Sequence, residues 1–236
     1  MSDNPMLYRD IVPLNRERHR NVRLDTSEKR FAISAGSHVI PAVVQEFSTA
    51  STHLPIVFMP GVGLPVAVFL VGLRSGKSAL VGCEGEWKGE YVPAYLRRYP
   101  LMFGEVEGRE PLVCIDETYS ASENNGGERL FTDSGEDTPL LGERVRLVNE
   151  YFFAAKVNDV FVKTLVDLDL LHSIMIDAKF HSGESLALHG LLAVNEQKLN
   201  TLPDEDFLRL RKDGFLVAIY AHLFSLANID RVRKLS

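Results

Sequence analysis

The order of elements in this sequence predicts an α+β protein. A mainly antiparallel sheet fills the N-terminal half, followed by a long helix, a β-hairpin and C-terminal helices. Three observations carry that expectation. Residues 54–73, LPIVFMPGVGLPVAVFLVGL, form a run of twenty residues without a charge. An apolar face with helical period runs for roughly eight turns from Thr138. Strand-like segments come first and helix-like segments later, without the alternation of a parallel βαβ fold.

The charge-free run has the length of a membrane span, but its punctuation argues otherwise. Pro55, Pro60 and Pro65 remove three backbone donors, and Gly61, Gly63 and Gly72 add local freedom. A lone helix in lipid has no means of re-satisfying its backbone after such losses. The run reads better as two buried strands, at residues 56–59 and 66–71, with a turn from Pro60 to Pro65. A strand pair this apolar is covered on both faces and marks the centre of a core.

Residues 1–30 are polar, with Arg16, Arg18, Arg20 and Arg23 interleaved with Glu17 and Asp25. The acidic residues break up an anion-binding arm, so a solvated segment lying over the domain is expected. Residues 31–34 are expected to begin the sheet. Residues 39–47 follow as a second strand, with Pro41 marking an edge. Residues 74–77 form a hairpin turn, and residues 78–83 the strand after it. In residues 91–99, YVPAYLRRY, Pro93 suits the first turn of a short helix and Arg97 and Arg98 its last, with Pro100 as the stop. Residues 112–116 are a strand. Residues 117–139 turn to Ser, Asn, Gly, Glu and Asp, a loop followed by a short extended piece with a tight turn. The chain reads as one domain over residues 1–236, with this stretch as its candidate internal boundary.

Thr138 then caps the long helix and Pro139 occupies its first position. Leu141, Val145, Val148, Phe152, Ala155, Val162 and Leu165 form its apolar face, and its end is expected near Leu171. Residues 174–180 and 186–194 pair across Ser182, Gly183 and Glu184. Residues 202–214 are a helix, with acidic residues in the first turn, basic residues in the last and Gly214 as its C-terminal stop. Residues 215–227 are a buried helix.

A net charge of −6 lacks the basic footprint of a nucleic-acid binder. Cys83 and Cys114, the only cysteines, cannot build a disulfide framework, and their apolar contexts predict two reduced core residues. Residues 1–20 hold no apolar stretch of signal-peptide length, which points to the cytoplasm, with export to the cell surface by another route as the alternative.

Most chemistry fails on inspection. GLRSGKS, residues 72–78, has one spacer too few for a phosphate-binding P-loop and precedes an expected strand, not a helix. Neither GKSAL nor GESLA has the second glycine of a hydrolase elbow. His181 and His189 flank one hairpin, but no third metal ligand accompanies them, and no metal or cofactor is expected. His189 and His222 have the chemistry of bases but no nucleophile beside them. Asp116 and Glu117 are neighbours on a strand, so they point to opposite faces and suit paired acid–base work poorly. One carboxylate at a strand end beside a loop is the more useful arrangement. The richest surface is residues 87–99. Trp87, Tyr91, Tyr95, Arg97 and Arg98 are the candidate ligand- or partner-binding residues, because aromatics and arginines anchor binding sites. A short helix brings Tyr91, Tyr95 and Arg98 onto neighbouring positions.

Several segments are familiar together and in order. They are VPLNRERHRN, PIVF, PVAVFLVGLRSGKSALVGCEGEWKGEYVPAYLRRYPLMF, LVCIDE, GERLFTDSGEDTP and LNTLPDEDFLRLRKDGFLVAIYAHLFSLANI. This set resembles the bacterial SapC family of surface-layer-associated proteins over nearly the whole chain. The resemblance implies a non-catalytic accessory or surface-layer-associated binding protein of a proteobacterium, linked to outer-membrane nutrient uptake. Members often lie near genes for TonB-dependent receptors and flavin-dependent halogenase-like proteins. The partner would be a protein or a small polar ligand, with neither nucleic acid nor a membrane span involved. The alternative is an enzyme acting on a small polar or sugar-like ligand in a modification pathway. The family supplies no catalytic residues to transfer.

Overall fold

The two strands expected in the charge-free run are present in a computed structural model of the chain, which describes residues 4–105, 108, 110–120, 126–180 and 183–236. In chain order the N-terminal half contains β1 (Ile11–Pro13), β2 (Arg23–Leu24), a 3-10 turn at Ala32–Ser34, β3 (Val39–Pro41), a 3-10 turn at Val44–Glu46, α1 (Phe47–Ala50), β4 (Ile56–Met59) and β5 (Val66–Leu70). Then come α2 (Ala94–Arg98), β6 (Leu101–Gly104), β7 (Leu112–Asp116), α3 (Glu117–Ser120) and β8 (Glu128–Arg129). The remainder holds α4 (Pro139–Asp167), β9 (Leu171–Lys179), β10 (Ser185–Val194), α5 (Glu196–Asn200), α6 (Asp204–Lys212), α7 (Phe215–Ser225) and α8 (Ile229–Leu235). The fold is α+β.

The strands divide differently from the expectation of one N-terminal sheet. The main sheet has five strands in the order β3-β5-β4-β10-β9, so the C-terminal hairpin completes a sheet begun before residue 70. The join is narrow, with Leu192 opposite Phe58. Strand β7 belongs to a separate sheet, β1-β7-β6, and β2 pairs with β8. Pro41 sits on the edge strand β3, where its missing N–H costs no ladder bond.

Both faces of β4 and β5 are buried because alternate residues point to opposite sides. Ile56, Phe58, Ala67 and Phe69 face one cluster with Phe47, Phe161, Leu165 and Ile219. Val57, Val68 and Leu70 face a second cluster with Ile176, Leu191 and Val232. Fully burying each such side chain contributes about 1.5–3 kcal/mol, which makes this strand pair the structural centre. A third cluster joins β6 and β7, through Leu101 and Ile115, to Leu141 and Val148 of α4.

Helix α4 starts as expected. The Leu141 N–H donates to Thr138 Oγ1 at 3.3 Å, and Pro139 opens the helix. It ends at Asp167, four residues before the expected stop, where Asp169 takes a positive φ of 50° and β9 begins at Leu171. The stretch Phe215–Leu235 is long and apolar enough to cross a membrane by length and composition, and its Ile219 and His222 lie fully buried against the main sheet.

Three local expectations are corrected. Residues 32–34 form a 3-10 turn and not a strand, held by Ser34 Oγ donating to the Phe31 carbonyl at 2.8 Å. Residues 42–47 leave the sheet after Pro41, because Val44–Glu46 is a 3-10 turn that leads into α1. Residues 78–83 are not a ladder strand. The Ala79 N–H still reaches the Val71 carbonyl at 2.8 Å, but beyond it only Val81 bridges Trp87. Cys83 is therefore exposed, whereas Cys114 is buried as expected. The arginine-rich N-terminal segment lies over the body. Arg18 pairs with Glu117, Arg16 lies 3.2 Å from Asp137, and Arg23 donates to the Gly127 carbonyl at 2.9 Å.

Candidate functional site

Helix α2 is short, and its two arginines leave it in different directions. Pro93 lies just outside it, in an extended conformation with ψ of 140°, and the first helical residue is Ala94. Tyr91 therefore precedes the helix and does not share a helical face with Tyr95 and Arg98. The five candidate residues divide into two groups, one on each side of α2.

On the first side stands Glu46, which sequence reading did not single out. It is 7% exposed. Its Oε1 accepts from the Tyr91 hydroxyl and from the Ala94 N–H, each at 2.6 Å, and lies 3.9 Å from an Arg97 terminal nitrogen. Its Oε2 is shut off from solvent and has no hydrogen-bond partner among the described residues. A buried acceptor left in that state costs about 1–3 kcal/mol. Burial pushes the Glu46 carboxyl up from its ordinary range, against the opposing pull of Tyr91, Ala94 and Arg97. Glu46, Tyr91 and Arg97 border a cavity of about 400 Å³, with Gln45, Thr49 and Tyr151 on its walls. This volume falls in the range of small-molecule sites. Trp87 supports the arrangement from behind. Its ring packs on Phe31 at 5.8 Å, and its Nε1–H donates to the Tyr91 carbonyl at 2.9 Å.

On the second side Tyr95 and Arg98 turn into the body. Tyr95 is 3% exposed, and its hydroxyl donates to the Met6 carbonyl. The Arg98 guanidinium carbon lies 4.3 Å from the ring centre of Tyr151, 4.5 Å from Tyr95 and 5.3 Å from Tyr8. Arg98 is 6% exposed and has no carboxylate within ion-pair distance among the described residues. Cation–π attraction supplies about 0.5–2 kcal/mol per ring, against a desolvation penalty of several kcal/mol for a buried ion. Burial drives the Tyr95 hydroxyl up to about 12, with Arg98 pulling the other way.

Among the remaining candidates, Asp116 and His222 hold structural positions. Asp116 is fully buried and fully employed. It accepts from the Arg9 and Asp10 N–H groups at 3.1 and 3.2 Å and from the Thr118 hydroxyl at 2.8 Å. It also accepts from the Tyr99 hydroxyl at 3.3 Å. It fastens the N-terminal segment to β7, while Glu117 turns away to Arg18. His181 lies outside the described residues, and His189 is exposed on β10. His222 is buried between strands as a structural hydrogen-bonding group. No group of three or more His, Cys, Asp or Glu side chains among the described residues could hold a metal ion. The segment 72–78 makes a tight turn at Gly76, φ 72°, and no helix follows it, so the P-loop geometry is missing.

The signal that could have found Glu46 is local. It is the only Asp, Glu, Lys or Arg between Arg30 and Arg74, a lone carboxylate in a long stretch otherwise without such a charge. Tyr8 and Tyr151 carried no such signal, because their approach to Arg98 joins segments far apart in the chain.

The family model SapC matches residues 14–232. No curated protein and no solved structure shows a significant match to the chain.

Proposed function

The chain belongs to the SapC family, and from that premise we propose that it is a non-catalytic binding protein whose ligand enters the cavity beside Glu46. The observation that carries this reading is the Glu46 carboxylate, buried at a 400 Å³ cavity with one oxygen unmatched. The ligand it suits is small and polar, with a hydroxyl or amine to donate to Glu46 and an acceptor to take the Arg97 guanidinium. The family resemblance supports an accessory role in surface-layer association or outer-membrane uptake, with a protein partner as the alternative occupant.

The test is a thermal-shift panel of sugars, polyols, amines and peptides on the intact chain. A ligand that binds the folded state raises its apparent stability. At least one such compound should shift the wild type and fail to shift both Glu46→Gln and Arg97→Ala. A panel without any shift, or shifts unchanged in both variants, rejects the site.

The raised Glu46 carboxyl favours one second reading, an enzyme in which that group moves a proton on a sugar-like ligand. Turnover of a bound compound, lost in Glu46→Gln with binding retained, would establish it.

A further inference from the structure

We propose a second site on the opposite side of α2, in which Arg98 binds a monocarboxylate with an apolar body. It is independent of the Glu46 reading. Arg98 lines a cavity of about 520 Å³ whose uncharged walls include Met102, Phe103, Tyr151, Phe152 and Ala155. Three observations converge on the ligand. Arg98 is a cation with nine-tenths of its surface buried, and three tyrosine rings hold it in place without neutralising it. Its Nε has no hydrogen-bond partner among the described residues. A guanidinium presents its N–H groups in a planar fork, and a carboxylate matches that fork with two parallel bonds.

The rest of the cavity decides what the carboxylate is attached to. Its walls are mostly aromatic and aliphatic, which suits a hydrocarbon or ring. The remaining charged residues around it are Lys156, Glu105 and Asp159. Lys156 is engaged, 3.1 Å from Glu105 and 4.4 Å from the Phe152 ring centre. Asp159 makes no ion pair among the described residues, so it adds negative charge to the same cavity. That charge opposes a dianion such as phosphate and leaves a single carboxylate as the better fit.

Titration calorimetry on the intact chain tests this with phenylacetate, its neutral isostere phenylacetamide, and inorganic phosphate. Phenylacetate should bind about tenfold or more tightly than the amide, and phosphate should not bind. Arg98→Lys keeps the charge but loses the fork, and should weaken phenylacetate about tenfold. Ala155→Phe narrows the cavity while keeping the Arg98 side chain and should abolish binding. No heat with phenylacetate at millimolar concentration overturns the proposal. So do equal affinities for acid and amide, or unaltered binding by Ala155→Phe. Because the acid–amide comparison uses the wild-type chain, a misfolded Arg98 variant would not obscure the answer.

Discussion

His222 on α7 and Ile56 on β4, 166 residues apart, are joined by a hydrogen bond of 2.9 Å between the imidazole Nδ1 and the Ile56 carbonyl oxygen. The other ring nitrogen, Nε2, accepts from the Val194 N–H at 3.0 Å. An N–H can only donate, so Nε2 is the bare nitrogen and Nδ1 carries the proton. The neutral ring therefore bridges β4 and β10 at the narrow join of the main sheet.

Protonating His222 would turn Nε2 into a second donor facing a donor. Burial, more than the nearby His172, lowers its pKa to about 4, against an ordinary value of 6.5. In that interval the unfolded chain binds the proton and the folded chain does not. Stability from this group is present above 6.5 and falls as the pH drops towards 4, by about 3 kcal/mol in all. Urea denaturation between pH 7 and pH 4 should show this slope, and His222→Gln should flatten it. An identical slope in the variant would contradict the assignment.

Ser225 works beside it. Its hydroxyl accepts from the Ile56 N–H at 2.8 Å and donates to the His222 carbonyl at 2.6 Å. Ser225→Ala leaves a buried donor at the start of β4 unpaired and should cost about 1–3 kcal/mol in equilibrium unfolding. A change below about 0.5 kcal/mol would mean that water replaces the hydroxyl.

Glu46 separates charge from hydrogen bonding. Glu46→Gln keeps an acceptor for Tyr91 and Ala94 but removes the buried charge. Because burial raises the folded-state pKa, the folded chain holds the proton more tightly than the unfolded chain. The wild type therefore loses stability from this group as the pH rises through and above the ordinary carboxylate range. Relative to wild type, the Gln variant should gain stability from pH 4 to pH 8. Glu46→Ala leaves Tyr91 and Ala94 without their acceptor and should be destabilised by about 1–3 kcal/mol at both pH values.

Phe161 packs α4 against the main sheet. Its ring lies 5.9 Å from Phe47, 6.4 Å from Phe58 and 5.2 Å from Phe215. Phe161→Ala should cost about 3–5 kcal/mol, the range for a large core truncation. Phe153, exposed on the same helix, should tolerate alanine within about 0.5 kcal/mol. Thermal melts of the two variants give the comparison directly.

Gly72 closes the charge-free stretch against its turn. A Cβ there would meet the Lys77 carbonyl oxygen at 2.1 Å, a backbone atom that cannot swing away. Gly72→Ala should destabilise by on the order of 2 kcal/mol, whereas Gly36→Ala, with open space around it, should be nearly neutral.

What the sequence determined by itself was the set of elements with strong local signals. Pro60 and Pro65 bracket the turn between β4 and β5. Thr138 and Pro139 start α4, Gly183 turns the β9–β10 hairpin at φ 84°, and Gly214 begins α7 after α6 at φ 75°. These signals act over a few residues through fixed φ values, missing donors and alternating side chains, so they can be read without the fold. The α+β class followed from their order, and the SapC membership from the long ordered segments.

The tertiary structure alone decided which elements meet and which way short ones face. Nothing local in β10 specifies that Leu192 lies opposite Phe58, and the strand β6 was not expected from the sequence. Helix α2 has five residues, so packing on either side sets its rotation. That rotation sends Arg97 to Glu46 and Arg98 into a tyrosine cluster built from Tyr8, Tyr95 and Tyr151. Burial of a charge is a property of the environment that distant segments assemble around it. The candidate residues were therefore legible as residue types, and their division between the two sides of α2 was settled by long-range packing.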